Sequence, residues 1–343
     1  MIRSRLARTL ATGLVFASLT AVAAPAHAER PTPAAPTLRP GLNDVRFVSE
    51  GDTLAAHVFL PAGYVTGRTL PVVVVTGAWT TVKEQMADRY ARELAARGFA
   101  AVTFDFRGYG ASQGAPRQWE SATRKVADLK AAAAFARTLP VAGGRATGLL
   151  AVCFGAGYAA RAIAEGADVA SFATVAAWLH DSASLEQVFG RDEVARRFAA
   201  GRAARDRFER TGAVEYVPAA STTDRTAAMY QVDYYSTAER GLIPQYDNRF
   251  AVMSWPEWLT LDGLALAPRV TVPTTIVHSD GSALPANVRR FYATLGAPAA
   301  DKHLVWLQGG HTQFYDQAPQ VTAAVDAVAA HFRRTLVPTQ PTR

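Results

Sequence analysis

The reading of the chain turns on one stretch, ATGLLAVCFGAGYAARAIAE, residues 146–165. Residues 146–152 are a continuous apolar run, the pattern of a strand buried on both faces. The chain then passes without pause into Cys153-Phe154-Gly155-Ala156-Gly157 and on to a helical spacing over 158–165. A sharp turn set directly between a strand and a helix lifts the residue at its apex above the sheet edge. Ala151 and Gly155 on either side, with Gly157 beyond, let the turn and the helix pack closely.

On the N-terminal side of this unit, residues 70–76 (LPVVVVT) and 100–106 repeat the buried-strand pattern, and 83–97 and 121–139 have helical spacing. Before them, 45–49 and 53–60 read as an antiparallel pair turning at Gly51-Asp52. On the C-terminal side come strands over 169–177, 270–278 and 303–307 and helices over 285–295 and 321–335. This order predicts an α/β fold: a mostly parallel, doubly wound sheet covered by helices on both faces. The rhythm breaks over 179–267, a polar, Arg-rich and aromatic-rich stretch that reads as a helical cap inserted between two strands. The expected core is 43–178 with 268–337, and Trp255, Trp258 and His180 are pocket candidates from the cap and its entrance.

The 343 residues are 49% hydrophobic and 19% charged, enough for a packed core and too few charges for a disordered chain. A single Cys excludes an intrachain disulfide framework and any multi-thiolate metal site, so neither metal nor cofactor is expected. Residues 1–28 have a basic start, an apolar run and an Ala26-His27-Ala28 end, the plan of a cleavable secretory signal; 29–42 reads as a Pro/Thr-rich leader. The expected destination is the periplasm or the medium, without a stable membrane anchor. The formal charge of +7 includes Arg3, Arg5 and Arg8 of that segment. What remains is too dilute for nucleic-acid binding, and a small molecule is the expected partner.

Cys153 occupies the apex of the turn and is the candidate nucleophile, against the alternative of a buried Cys acting as a small hydrophobe. The literal G-x-S-x-G match, Gly110-Ala111-Ser112-Gln113-Gly114, lies in a loop several residues past its strand and lacks the strand–turn–helix setting. A base is expected after the last strand, where Gly309-Gly310-His311 stands. An acid is expected after the strand before it, where Ser279-Asp280-Gly281 stands. The order Cys153, Asp280, His311 is nucleophile, acid, base. His180 with Asp181 is the rival pair. Oxyanion donors are backbone N–H groups, and Phe154 with Ala78 or Trp79 are placed to supply them.

These residues resemble the α/β-hydrolase superfamily, and within it the bacterial branch similar to dienelactone hydrolases and X-Pro peptidases. The resemblance is carried by residues 77–85 (GAWTTVKEQ), 104–114 (FDFRGYGASQG), the Cys153 turn, and 311–316 (HTQFYD). It implies the α/β-hydrolase fold and a cofactor-free hydrolase that cleaves an ester, lactone or thioester by a Cys-His-Asp acyl-enzyme route. It also suggests a carboxylate that activates the Cys, for which Glu84 is the nearby candidate, with pairing to Lys83 as the alternative. A non-catalytic ligand-binding relative and an acyl transferase are the competing readings. Thr76 and Gln313 stand where many relatives carry His and Asp.

Overall fold

The computed structural model describes residues 36–337. The expected signal segment and the first half of the leader lie outside the described residues. The first strand, β1 (Gly41–Ser49), already includes Gly41 and Leu42, which the sequence reading assigned to the leader. It pairs antiparallel with β2 (Asp52–Leu60) across the Glu50-Gly51 turn, and β2 pairs antiparallel with β4 (Ala100–Phe104). From there the pairings are parallel: β4 with β3 (Val72–Thr76), β3 with β5 (Thr147–Val152), β5 with β6 (Val169–Val175), β6 with β11 (Thr274–His278), and β11 with β12 (Lys302–Trp306). The order across the sheet is β1-β2-β4-β3-β5-β6-β11-β12.

All residues of β3, β4 and β5 are buried, as their mostly apolar content requires when helices cover both faces. Helices α1 (Met86–Ala96) and α9 (Ala318–Leu336) pack against each other, as do α2 (Ala122–Thr138) and α3 (Gly155–Ala164). Right-handed crossovers explain this sorting. The step from β3 to β4 runs toward one edge and the step from β4 to β5 runs back past β3, so α1 and α2 fall on opposite faces. The reversal beside β3 opens a crevice at the carboxyl ends of the strands, where ligands enter such sheets. The turns after β3, β5, β11 and β12 all lie at that edge.

Between β6 and β11 the chain forms α4 (Ser182–Phe189), α5 (Arg191–Thr211), the short strands β7 (Tyr216–Pro218), β8 (Ala220–Ser221), β9 (Met229–Tyr230) and β10 (Arg249–Ala251), and α6 (Trp255–Thr260). The sequence predicts a helical cap here, and the segment departs from that by also forming two small two-stranded sheets, β10-β7 and β8-β9. Helix α7 (Pro285–Thr294) follows β11, and α8 (Gln313–Asp316) precedes α9. Among the described residues no helix is long and apolar enough to cross a membrane.

Candidate active site

Strand β5 ends at Val152, and Cys153 follows with φ +54°, a left-handed conformation rare for a residue with a side chain. The strain is held by bonds on both sides of the turn. The Cys153 N–H donates to Val175 O at 3.1 Å, and its carbonyl accepts from Ala156 N at 3.1 Å and from Trp178 N at 3.0 Å. Gly155 must be small here, since a Cβ would lie 2.3 Å from Gly77 O. The elbow and the loop after β3 are thereby in backbone contact.

Two backbone N–H groups, from Phe154 and Trp79, lie close enough to the Cys153 sulfur to lower the thiol's pKa. They are the two donors an oxyanion would meet, Phe154 at the start of α3 and Trp79 from the β3 loop. Of the two sequence candidates in that loop, Trp79 and not Ala78 faces the sulfur; the Ala78 carbonyl is used to accept the Thr81 hydroxyl at 2.8 Å. The loop is anchored from below. Thr80, with φ +62°, donates its N–H to Glu120 Oε1 at 2.7 Å, and its hydroxyl meets Tyr246 Oη at 3.1 Å. Glu120 is itself fully buried and also accepts from Lys125 Nζ, Tyr109 Oη and Tyr158 Oη at 2.6–3.0 Å.

His311 comes from the loop after β12, and its Nε2 lies 3.3 Å from Cys153 Sγ. The same nitrogen lies 2.9 Å from Tyr315 Oη, and Tyr315 stands close enough to the sulfur to lower the thiol's pKa and packs edge-on against Tyr235. Tyr315 escaped the sequence reading as a site residue. It lies inside α8, four residues after His311 in the preceding turn, and that close spacing beside the expected base is the signal that would have found it.

Asp280 is not part of this cluster, which corrects the expected triad. Its side chain is 74% exposed and pairs with Arg289 at 3.1 Å. Opposite Nδ1 of His311 stands the Ala283 N–H, at 3.2 Å, a donor where an acid would place an acceptor. Behind the ring, His278 is fully buried. Burial, and secondarily His278, lower the His311 pKa to about 3. Burial raises the Cys153 thiol to about 11, against the opposing pull of Tyr315 and the two N–H groups. Thiol and imidazole are therefore both neutral at pH 7, with no ion pair between them.

The other candidates have structural partners. Ser112 Oγ donates to Asp105 O at 2.6 Å and accepts from Ala55 N at 2.9 Å, which fastens its loop to β2. Glu84 is held by Lys83 Nζ at 2.5 Å, and Lys83 also binds Asp105 at 2.9 Å. His180 accepts from Trp178 Nε1 through Nδ1 and meets Trp258 O through Nε2, both at 3.0 Å, while Asp181 caps α4. A cavity of about 560 Å³ opens on Cys153, His311 and Tyr315, walled by Trp79, Phe154, Trp178, Phe189, Tyr230 and Trp258 among others. Trp258 lines it as expected. Trp255 and His180 do not: Trp255 stacks behind Trp79 and Trp258, and His180 lies flat against the back of Phe154. Among the described residues no group of three or more His, Cys, Asp or Glu is arranged to hold a metal ion.

Comparison with known proteins agrees with this architecture. A family model described as "Alpha/beta hydrolase family" matches residues 72–325. Protein YcjY of Escherichia coli (strain K12) is 26% identical over 313 residues, covering 86% of this chain and 99% of its own. PA2218 of Pseudomonas aeruginosa is 28% identical over 309 residues, covering 82% of this chain and 77% of its own. The crystal structure of PA2218 superposes with a TM-score of 0.71 at 24% identity over 86% of this chain and 94% of that one. DcsB, solved with a substrate analogue, superposes with a TM-score of 0.73 over 87% of this chain and all of that one, a likeness of fold at 17% identity.

Proposed function

This chain belongs to the alpha/beta hydrolase family, and on that premise we propose that it cleaves an ester, lactone or thioester of a small or medium-sized organic molecule through an acyl-enzyme on Cys153. The observation that supports the reading is the left-handed elbow at Cys153, whose sulfur faces both His311 Nε2 and the N–H groups of Phe154 and Trp79. A carbonyl carbon in contact with Sγ would place its oxygen near those N–H groups, which strengthen their bonds as negative charge develops. The aromatic walls of the cavity suit an apolar acyl or alkyl group. The chemistry draws on the chain's own groups, with no metal or cofactor assigned a step. The expected Asp280 role is not carried forward. His311 and Tyr315 are the polar groups left to manage the proton.

The test is a panel of esters, lactones and thioesters offered to the parent and to Cys153→Ala, with intact-mass detection of an adduct. An adduct on the parent alone, with turnover lost in the variant, is expected. Equal turnover by the two would remove Cys153 from the mechanism. We propose also that the protein works outside the cytoplasm after cleavage behind Ala28. N-terminal sequencing of protein recovered from the periplasm or medium should begin at Glu29.

A further inference from the structure

We infer that Tyr315 is a catalytic residue, the hydroxyl that passes the Cys153 proton to the leaving group, with His311 acting as a fixed hydrogen-bond donor to it. The inference rests on the acyl-enzyme reading above and goes beyond it, because the expected base was His311.

The protonation of the His311 ring is set at Nδ1. The Ala283 N–H points at it from 3.2 Å, so Nδ1 presents its lone pair and the neutral ring carries its hydrogen on Nε2. A second hydrogen, on Nδ1, would face the Ala283 hydrogen, and no carboxylate compensates: Asp280 is turned to Arg289, and Asp316, the acid nearest in sequence, is clamped by Arg240 at 2.6 and 2.8 Å. The burial and the His278 neighbour that depress His311 act in the same direction. Nε2 is thus a donor to sulfur and tyrosine, and the thiol proton must go elsewhere.

Tyr315 Oη is the group in reach. It sits 2.9 Å from Nε2, which is itself 3.3 Å from Sγ, and lines the cavity beside Cys153, close enough to pull the thiol's pKa down. A phenol can accept one proton while giving up another. In acylation the Sγ–C bond forms as the thiol proton moves to Tyr315 Oη. The tyrosine's own hydrogen passes to the leaving oxygen as the C–O bond breaks, giving a thioester and a neutral alcohol. In deacylation a water oxygen bonds to the carbonyl carbon and loses a proton to Tyr315 Oη. The tyrosine returns a proton to Sγ as the C–S bond breaks, releasing the acid. Nothing is oxidised or reduced. The Nε2–H bond to Oη stabilises the partial negative charge there throughout.

The experiment compares two esters of one acyl group, an alkyl ester whose leaving oxygen needs a proton and a 4-nitrophenyl ester whose leaving oxygen does not. Acylation is followed by intact mass in single turnover, on the parent, Tyr315→Phe and Cys153→Ala. Tyr315→Phe is expected to slow the alkyl ester by roughly 10²–10⁴-fold and the nitrophenyl ester by a clearly smaller factor, since there only the acceptor for the thiol proton is lost and the leaving oxygen needs none. Equal losses on both esters, or no loss on either, overturn the assignment. The parent decides independently should Tyr315→Phe not fold. A shallow dependence of its acylation rate on leaving-group acidity across phenyl and alkyl esters supports proton donation, and a steep one overturns it. A Cys153→Ala protein that still turns over either ester sinks the acyl-enzyme reading itself, whatever Tyr315→Phe does.

Discussion

At Cys153 the surroundings supply hydrogen-bond donors without supplying a compensating positive charge. Two N–H groups and the Tyr315 hydroxyl lower the thiol's pKa, burial raises it further than they lower it, and the balance lies at about 11. His311, held near 3, brings no cation. The alkylation rate of the resting thiol by iodoacetamide should therefore climb steadily beyond pH 9 with no step between pH 5 and 8. A step below pH 7 would reveal the ion pair that the geometry denies, since a thiolate–imidazolium pair ionises there. The acid makes a second test. Asp280 meets only Arg289, at a largely exposed position where an ion pair contributes at most about 1 kcal/mol. Asp280→Asn should keep kcat/KM within about twofold. A thousandfold fall would return it to the triad. Ser112→Ala should do the reverse of what its G-x-S-x-G setting suggests. Activity should persist while urea unfolding shows a loss of about 1–3 kcal/mol, because Ala55 N–H and Asp105 C=O lose a buried partner.

Between elements, the oxyanion loop is fixed by contacts distant in sequence. Glu120, just ahead of α2, holds Thr80 N–H from the β3 loop, Lys125 from α2 and Tyr158 from α3, and its own N–H donates to Ser254 Oγ at 2.9 Å beside α6. Glu120→Gln removes the buried partner of Lys125 and replaces an acceptor with an NH₂ among donors. Breaking a buried pair this way costs about 3–5 kcal/mol. The variant should melt earlier, and its kcat should fall by more than its KM rises, because Trp79 N–H is positioned through Thr80. Unchanged kcat in a destabilised variant would confine Glu120 to stability. None of this network was visible in sequence, where Thr80, Glu120 and Tyr158 lie far apart. What sequence does carry is local. Runs such as 72–76 and 147–152 are mostly apolar and buried at every position because both faces are covered, and the strand–turn–helix at Cys153 needs only adjacent residues. The loop residues were right as locations and uneven as side chains. Residues 278–281 do leave the sheet at the active edge, but a backbone register says nothing about the direction of the Asp280 carboxylate, and it turns to Arg289. The same limit explains why Trp258 reaches the cavity and Trp255 stops behind it.

Across the whole molecule, neutral imidazoles that are buried, or half-buried in the case of His311, bind the layers together. His331 of α9 meets Ser171 of β6 at 2.8 Å, His180 ties Trp178 to the α6 backbone, His278 fills the end of β11, and His311 closes the site. Burial is the first cause in each case and holds His180, His278 and His331 at about 4 and His311 at about 3, against an ordinary value of 6.5. The sign follows from proton counting. A folded-state pKa below the unfolded one means that the unfolded chain binds more protons between the two values, so stability falls as pH drops through that window. The stabilisation is fully present above pH 6.5 and is lost progressively toward pH 4 and below, by on the order of 1 kcal/mol per ring for each pH unit. His180 and His331 lie apart from the coupled pair His278 and His311, so the losses at these three places largely add, against a total stability of only about 5–15 kcal/mol. Protonating His180 also forfeits the bond it accepts from Trp178. The melting temperature should therefore fall steeply from pH 6.5 to 4.5, with protons taken up on unfolding, and activity lost there should return on neutralisation if refolding competes with aggregation. His331→Gln, far from Cys153, should make that fall shallower by removing one of the protons taken up. A melting temperature that stays level from pH 7 to 4.5 would show that these rings are already solvated or charged in the folded protein.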